Sequence, residues 1–285
     1  VSDVNEVFAT QRPRLVGIAY RITGSWHDAD DVAQEAWLRL ARQERAPEVP
    51  EAWLTTVTTR LAIDRARQRT RERDRYVGPW LPEPTALAET DEGAVLADSL
   101  TLAFLVVLDQ LGPLERAAFV LRDVFATPYD EIASTLARSE SACRQLVHRA
   151  RAHLREQAPH EDRPFTADDL TALVNALVAG DRAELLGLLS PTVTLVSDGG
   201  PHRHAARRTV VGPFRVARLL ANLSRREPGA AVEVSAVNGA ACLFIRADGG
   251  PIVLTGTTRY GKIACITVLL NPDKVEGAIT PRLIR

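Results

Sequence analysis

The sequence predicts a multidomain chain, two all-α modules followed by an α+β domain. Three observations lead there. Apolar residues recur at helical spacing up to about residue 75 and again from 113 to 156. Between these stretches lies YVGPWLPEP (76–84), whose three prolines stiffen a non-helical backbone and whose Tyr76, Trp80 and Leu81 are apolar anchors. Beyond Pro164, two helical stretches give way to alternating runs punctuated by Asn238-Gly239, Asp248-Gly249 and Tyr260-Gly261-Lys262, a helices-then-hairpins order.

Composition narrows the function classes. A hydrophobic share of 46% with 25% charged residues belongs to a globular chain able to bury several cores. No apolar run approaches the roughly 18 residues of a membrane span, and no basic-then-apolar leader is evident, so the chain reads as cytoplasmic. Cys143, Cys242 and Cys265 form no CxxC pair and read as buried free thiols, with neither disulfide framework nor metal spacing. The net charge is -1, but its distribution is polarised. Seven arginines lie between Arg60 and Arg75 against three acids, whereas Asp28, Asp30, Asp31 and Glu35 make the preceding segment acidic. Only Lys262 and Lys274 are lysines, so arginine richness is a compositional habit of the chain. Placement must decide its meaning.

In the first module, Leu15, Ile18, Ala19 and Ile22 form one helical face, closed by Gly24. Ala29, Val32, Ala33, Ala36, Trp37 and Leu40 form a second, with Ser25 placed to cap and Asp28 three residues on. Pro50 suits the first turn of a third helix, on which Trp53, Leu54, Val57 and Leu61 are expected to face inward. In the second module, Gly112-Pro113 opens a helix. Thr127 is then expected to cap a short helix begun by Pro128, with Ile132, Ala133 and Leu136 buried. Ala137, Arg138 and Ser139 make a tight turn, and a basic helix follows from Glu140. This is a helix-turn-helix pattern. Cys143, Leu146, Val147, Ala150 and Leu154 take core spacing, leaving Ser141, Arg144, Gln145, His148 and Arg149 outside. Arg and Gln there can bond guanine and adenine edges, while Ser139 and Arg151 suit phosphates.

DADDVAQEAWLRL, EAWLTTVTTRLAIDRARQR and LGPLERAAFVLRDVFATPYDEIASTLARSESACRQLVHRARAHL together resemble an extracytoplasmic-function sigma factor of the sigma-70 family. The remaining third resembles a SnoaL-like, NTF2-like α+β cone. WLPEP (80–84), DGG (198–200) and NPDK (271–274) are similar to a subgroup in which this extension regulates the sigma factor. The resemblance implies region 2 over 1–75, a linker over 76–98, region 4 over 99–160 and a regulatory domain over 163–280. It implies core RNA polymerase and promoter DNA as partners, with an anti-sigma factor possible but not indicated, no membrane, no cofactor and no enzymatic activity. Asp28, Asp31, Gln34 and Glu35 are then expected to meet polymerase. Trp53, Arg60, Asp64, Arg65 and Arg67 are expected at the -10 strand, and the helix-turn-helix at the -35 element. Trp80, Leu81, Pro82, Glu83 and Pro84 are expected to engage Asp198, Gly199, Gly200, Asn271, Pro272, Asp273 and Lys274. Three departures from the family pattern stand out: Thr59 where asparagine is common, Pro201-His202 after DGG where glycine and a basic residue are common, and Val275 where leucine is usual.

Two other readings compete. An ordinary helix-turn-helix regulator with a ligand-sensing third domain predicts operator binding by the protein alone. An enzyme would cast Asp198, His202 and His204 as acid–base or metal residues, against which a His-Arg-His run in a glycine-proline loop reads as a solvated turn.

Overall fold

A computed structural model describes residues 4–45, 47–73, 75–85, 101–157, 162–227 and 229–275. They form two compact units, the first from 4–73 and 105–157, the second from 75–85, 101–104 and 162–275.

The first unit is helical: α1 (Val4–Thr23), α2 (Trp26–Ala41), α3 (Pro50–Arg73), the end of α4 (Leu102–Leu108), α5 (Pro113–Phe119), α6 (Tyr129–Leu136) and α7 (Glu140–Gln157). Leu15, Ile18, Ala19 and Ile22 are all fully buried, as their spacing predicts. Gly24 leaves α1 at φ 72°, and Ser25 begins α2 by accepting from the Asp28 backbone N–H at 3.1 Å. Ser25→Ala should cost about 1 kcal/mol, because that buried donor loses its acceptor. Urea unfolding measures it, and an unchanged midpoint would remove the cap from the account.

On α3 the inward face differs from the expected one. Of Trp53, Leu54, Val57 and Leu61 only Leu54 is buried, and the stripe runs through Thr55, Thr58, Thr59, Ala62, Ile63 and Ala66. Thr55 and Thr59 tolerate this because their hydroxyls donate to the Glu51 and Thr55 carbonyls one turn back. Small residues thereby bring α3 close to α1 and α2.

The helix-turn-helix forms, with one shift at its start. Pro128, extended at φ -61° and ψ 152°, is the N-cap of α6, and its carbonyl accepts the first helical bond from Ile132. The Thr127 side chain caps nothing, since the helix begins one residue later than expected. Ala137 closes α6 in the left-handed region at φ 51°, and the Arg138 N–H donates back to the Ala133 carbonyl. Between α5 and α6 the chain winds through a π-helical turn, Val120–Val124. Buried Arg116 holds this unit together, its Nη1 2.5 Å from Asp109, whose other oxygen meets Arg73 at 2.9 Å.

The second unit packs α8 (Ala167–Ala179), α9 (Arg182–Leu188) and α10 (Pro213–Arg226) against a sheet of seven strands. These are β1 (Arg163–Pro164), β2 (Leu189–Asp198), β3 (Val210–Val211), β4 (Ala231–Val237), β5 (Ala240–Ala247), β6 (Gly250–Arg259) and β7 (Lys262–Leu269). The main path is β3-β2-β7-β6-β5-β4, with β1 on β6. β4 to β7 make the expected antiparallel meander, and Asn238-Gly239 (φ 53° and 72°) and Tyr260-Gly261 (φ 50° and 71°) supply the left-handed turns. The sheet is nevertheless mixed, because β2 lies parallel to β7. One apolar core joins Leu170 and Leu173 of α8 and Val216 and Leu220 of α10 to Leu195, Leu243, Ile252 and Ile266 of the sheet. This α+β arrangement follows the two helical modules, as the sequence predicts.

Candidate functional site

The parallel pairing of β2 and β7 places two loop motifs side by side. β2 ends on Asp198, and the backbone N–H groups of Leu270 and Asn271 both donate to the Asp198 carbonyl, at 2.7 and 3.0 Å. Asn271 then caps a helical turn over 272–275: its side-chain oxygen accepts from the Asp273 N–H and its carbonyl from the Lys274 N–H. Pro272 sits first in this turn, where no N–H is needed. The turn carries Lys274 back over Asp198, with Nζ 2.7 Å from Oδ2.

The linker runs into this pair. The Leu81 N–H donates to Asp198 Oδ2 at 2.9 Å, while Lys274 Nζ donates to the Leu81 carbonyl at 2.8 Å, so one residue's backbone is held by both charges. Tyr76 donates its hydroxyl to Asp198 Oδ1 at 2.5 Å and accepts from Asn271 Nδ2 at 3.0 Å. Burial, then the hydrogen bond to Asp198, pushes the Tyr76 phenol well above its ordinary range, so it stays a neutral donor. Lys274 Nζ lies 3.5 Å from the centre of the Trp80 ring and 5.0 Å from that of Tyr76, and the two rings meet edge to face at 4.6 Å. Leu81, Pro82, Pro84 and Thr85 are buried, and Thr85 exchanges two hydrogen bonds with Asn238.

Asp198 is 1% exposed and Lys274 5%. A buried pair of this kind is tolerated because its remaining bonding capacity is satisfied. The carboxylate accepts four hydrogen bonds, from Tyr76, Gly200, Leu81 and Lys274, which leaves it engaged in structure and ill suited to the acid–base role weighed above. The two glycines are sterically required. A Cβ on Gly199 would stand 2.2 Å from the Arg203 carbonyl, and one on Gly200, at φ 59°, 2.6 Å from the Asn271 side chain. After DGG, exposed His202 approaches Asp273 at 3.4 Å, and Arg203 fastens the loop by donating to the Gly250 carbonyl and pairing with Glu227. The expected linker, DGG and NPDK residues are thus brought together. Tyr76, Thr85 and Asn238 join them without having been singled out as site residues, although Tyr76 stands within the linker quoted above.

The residues of the first unit expected at polymerase and DNA are less free. Arg60 donates to the Thr135 and Ser134 carbonyls at 2.8 and 3.0 Å, covering the C-terminal end of α6, and the Thr56 and Thr135 hydroxyl oxygens lie 3.2 Å apart. The Nε atoms of Arg65 and Arg69 lie 2.8 and 2.5 Å from the two oxygens of Asp28, which is 5% exposed. Asp28 therefore joins α2 to α3 rather than standing on a surface with Asp31, Gln34 and Glu35. Asp64 pairs with Arg67 at 2.9 Å, and Trp53 is half-buried. On α7, Ser141, Arg144, Gln145, His148 and Arg149 are exposed as expected. Ser139 caps that helix by accepting from the Ala142 N–H. Arg144 lies over the Tyr129 ring and pairs with Glu140, Arg149 pairs with Glu115, and Arg151 with Asp123.

Comparison with known proteins agrees with this arrangement. The family model of Sigma-70 region 2 matches residues 7–72, and that of Sigma-70, region 4 matches residues 101–154. The chain is 38% identical over 289 residues to the ECF RNA polymerase sigma factor SigJ of Mycobacterium tuberculosis, covering 95% of this chain and 93% of that one. It is 33% identical over 290 residues to the probable ECF RNA polymerase sigma factor SigI of the same organism, covering 96% and 95%. The crystal structure of Mycobacterium tuberculosis SigJ superposes with a TM-score of 0.78 at 36% identity, over 97% of this chain and 99% of that one. Both helical modules and the α+β domain fall within these matches, so the chain belongs to the extracytoplasmic-function sigma factors of the sigma-70 family.

Proposed function

We propose that this sigma factor directs core RNA polymerase to its promoters and that its C-terminal domain regulates it by gripping the linker between the two DNA-reading modules. The observation that carries the regulatory part is the grip of the buried Asp198–Lys274 pair on both backbone groups of Leu81. In this reading Asp31, Gln34 and Glu35 face polymerase. Trp53, Arg60, Asp64, Arg65 and Arg67 engage the opened -10 strand, where cationic and aromatic side chains hold phosphates and unstacked bases. Ser141, Arg144, Gln145, His148 and Arg149 read the -35 element in the major groove, with Ser139 and Arg151 beside its phosphates.

Promoter geometry also demands a conformational change in the first unit. Elements named for positions -10 and -35 lie roughly 25 base pairs apart, about 85 Å along straight duplex at 3.4 Å per step. An arginine bound to the end of α6 and a reader of the -10 strand are incompatible roles for Arg60, so α3 and α6 must part. The connection between α3 and α4 must follow that separation. Residues 76–85 of that connection are the ones held in the second unit.

Run-off transcription with purified core enzyme tests the proposal. The parent chain should yield a promoter-directed transcript, and Trp80→Ala, which removes the ring beneath Lys274, should change its amount several-fold and make the linker more sensitive to protease. No transcript from either chain sinks the sigma assignment, while unchanged output and unchanged cleavage with Trp80→Ala sinks the regulatory one alone.

A further inference from the structure

Helix α10 carries a pattern that neither the linker grip nor the promoter-reading modules use. From residue 199 to 226 the chain has seven arginines and no aspartate or glutamate. Arg215, Arg218, Arg225 and Arg226 follow one another at i, i+3, i+10 and i+11, which puts them on one side of the helix, and all four are exposed. Val216, Ala217 and Leu220 occupy the buried side. Exposed Arg207 and Arg208 lie in the loop that leads to this helix.

Elsewhere in this chain several arginines on helices meet carboxylates, some of their own helix, as Arg39 with Glu35, Arg67 with Asp64 and Arg144 with Glu140, and some of another element, as Arg149 with Glu115 and Arg151 with Asp123. On α10 none of the four has an ion-pair partner among the described residues, and Arg225 bonds only Asn222 and the Ala221 carbonyl. The nearest acid in sequence, Glu227, is taken by Arg203. Local helix energetics accounts for only half of the stripe, since Arg225 and Arg226 stand in the last turn, where the dipole favours cations. Arg215 stands in the first turn, beside the positive end of the helix dipole, where a cation is disfavoured. Compositional preference for arginine accounts for the residue type but not for the missing acids.

We infer that this face of α10 binds the phosphate backbone of duplex DNA without regard to sequence. The stripe spans about 16 Å of helix at 1.5 Å per residue, against a duplex presenting one charge per about 1.7 Å. Guanidinium groups suit phosphate oxygens through paired N–H donors. The inference does not rest on the sigma reading, because its test uses DNA that has no promoter.

The test is fluorescence anisotropy of the full chain on a labelled duplex of scrambled sequence between 50 and 200 mM KCl. Replacing Arg215, Arg218, Arg225 and Arg226 together by Gln should reduce the slope of log affinity against log salt by about 3.6, at about 0.9 per neutralised phosphate. Replacing the same four by Lys should keep the slope. An Arg215→Gln, Arg218→Gln double variant should lose about half as much, which gives a second reading if the quadruple Gln chain melts early. A Gln variant that melts like the parent and keeps the parental slope overturns the inference. So does loss of binding to phosphatidylserine vesicles with DNA binding intact, which would assign the face to a membrane surface.

Discussion

Cross-linking Thr56 to Thr135 as a pair of cysteines should lower promoter-directed transcription at least ten-fold, with dithiothreitol restoring it. The two hydroxyl oxygens lie 3.2 Å apart, so sulfur atoms in their places need only a small approach to bond. The bridge holds α3 against α6, keeps Arg60 on the Ser134 and Thr135 carbonyls, and forbids the separation that the proposed promoter contacts require. Native thiols interfere little. Burial raises the Cys143 and Cys265 thiols above their ordinary range and pushes Cys242 up to about 12, leaving few thiolates at neutral pH to exchange. Each single cysteine variant should transcribe as the parent does under oxidising conditions. A fully cross-linked chain that still transcribes at the parental level would show that the α3–α6 contact persists on the promoter.

Asp198→Ala should destabilise the second unit by roughly 3–5 kcal/mol, the range for breaking a buried ion pair from one side. The loss is larger than that of one interaction because Lys274 is left charged and buried while Leu81, Tyr76 and Gly200 lose an acceptor. Two measurements read it: the thermal unfolding midpoint, and the rate at which protease cuts within 76–85. Asp198→Asn keeps one acceptor oxygen but turns the other into an N–H donor and removes the charge, so it should restore only part of the linker protection and little of the stability associated with Lys274. If Asp198→Ala leaves both midpoint and cleavage rate at parental values, the linker is held by its apolar side chains alone. The comparison also separates the two roles of the cluster, since Trp80→Ala weakens the grip without leaving an unpaired charge in the core.

Much of this organisation was legible in the residues because it depends on local chemistry. Ser25 before Asp28, Gly112 before Pro113 and the Asn238-Gly239 turn act within a few residues of themselves, and the structure places all three as their sequence implies. The start of α6 lies one residue beyond the one its residues imply, because threonine and proline both suit a helix beginning and the Pro128 carbonyl decides between them. The α3 face departs from its apolar periodicity for a different reason. Periodicity weighs Trp53 and Val57 as inward and threonine as outward, yet hydroxyls satisfied by the preceding turn can be buried where two helix backbones come close. Asp28 likewise looks like a surface acid until two arginines of the next helix reach it.

The sequence by itself determined the order of the parts and the helix-turn-helix, and its resemblance to a known family implied that the linker and both loop motifs belong to one candidate site. Only the tertiary structure decided what those residues touch. Leu81 and Lys274 are separated by nearly two hundred positions, and nothing in either segment states that a parallel pairing of β2 with β7 brings Asp198 beneath them. Caps, turns and helix faces are set by neighbours along the chain, whereas a buried charge is stable only where distant segments supply its partners.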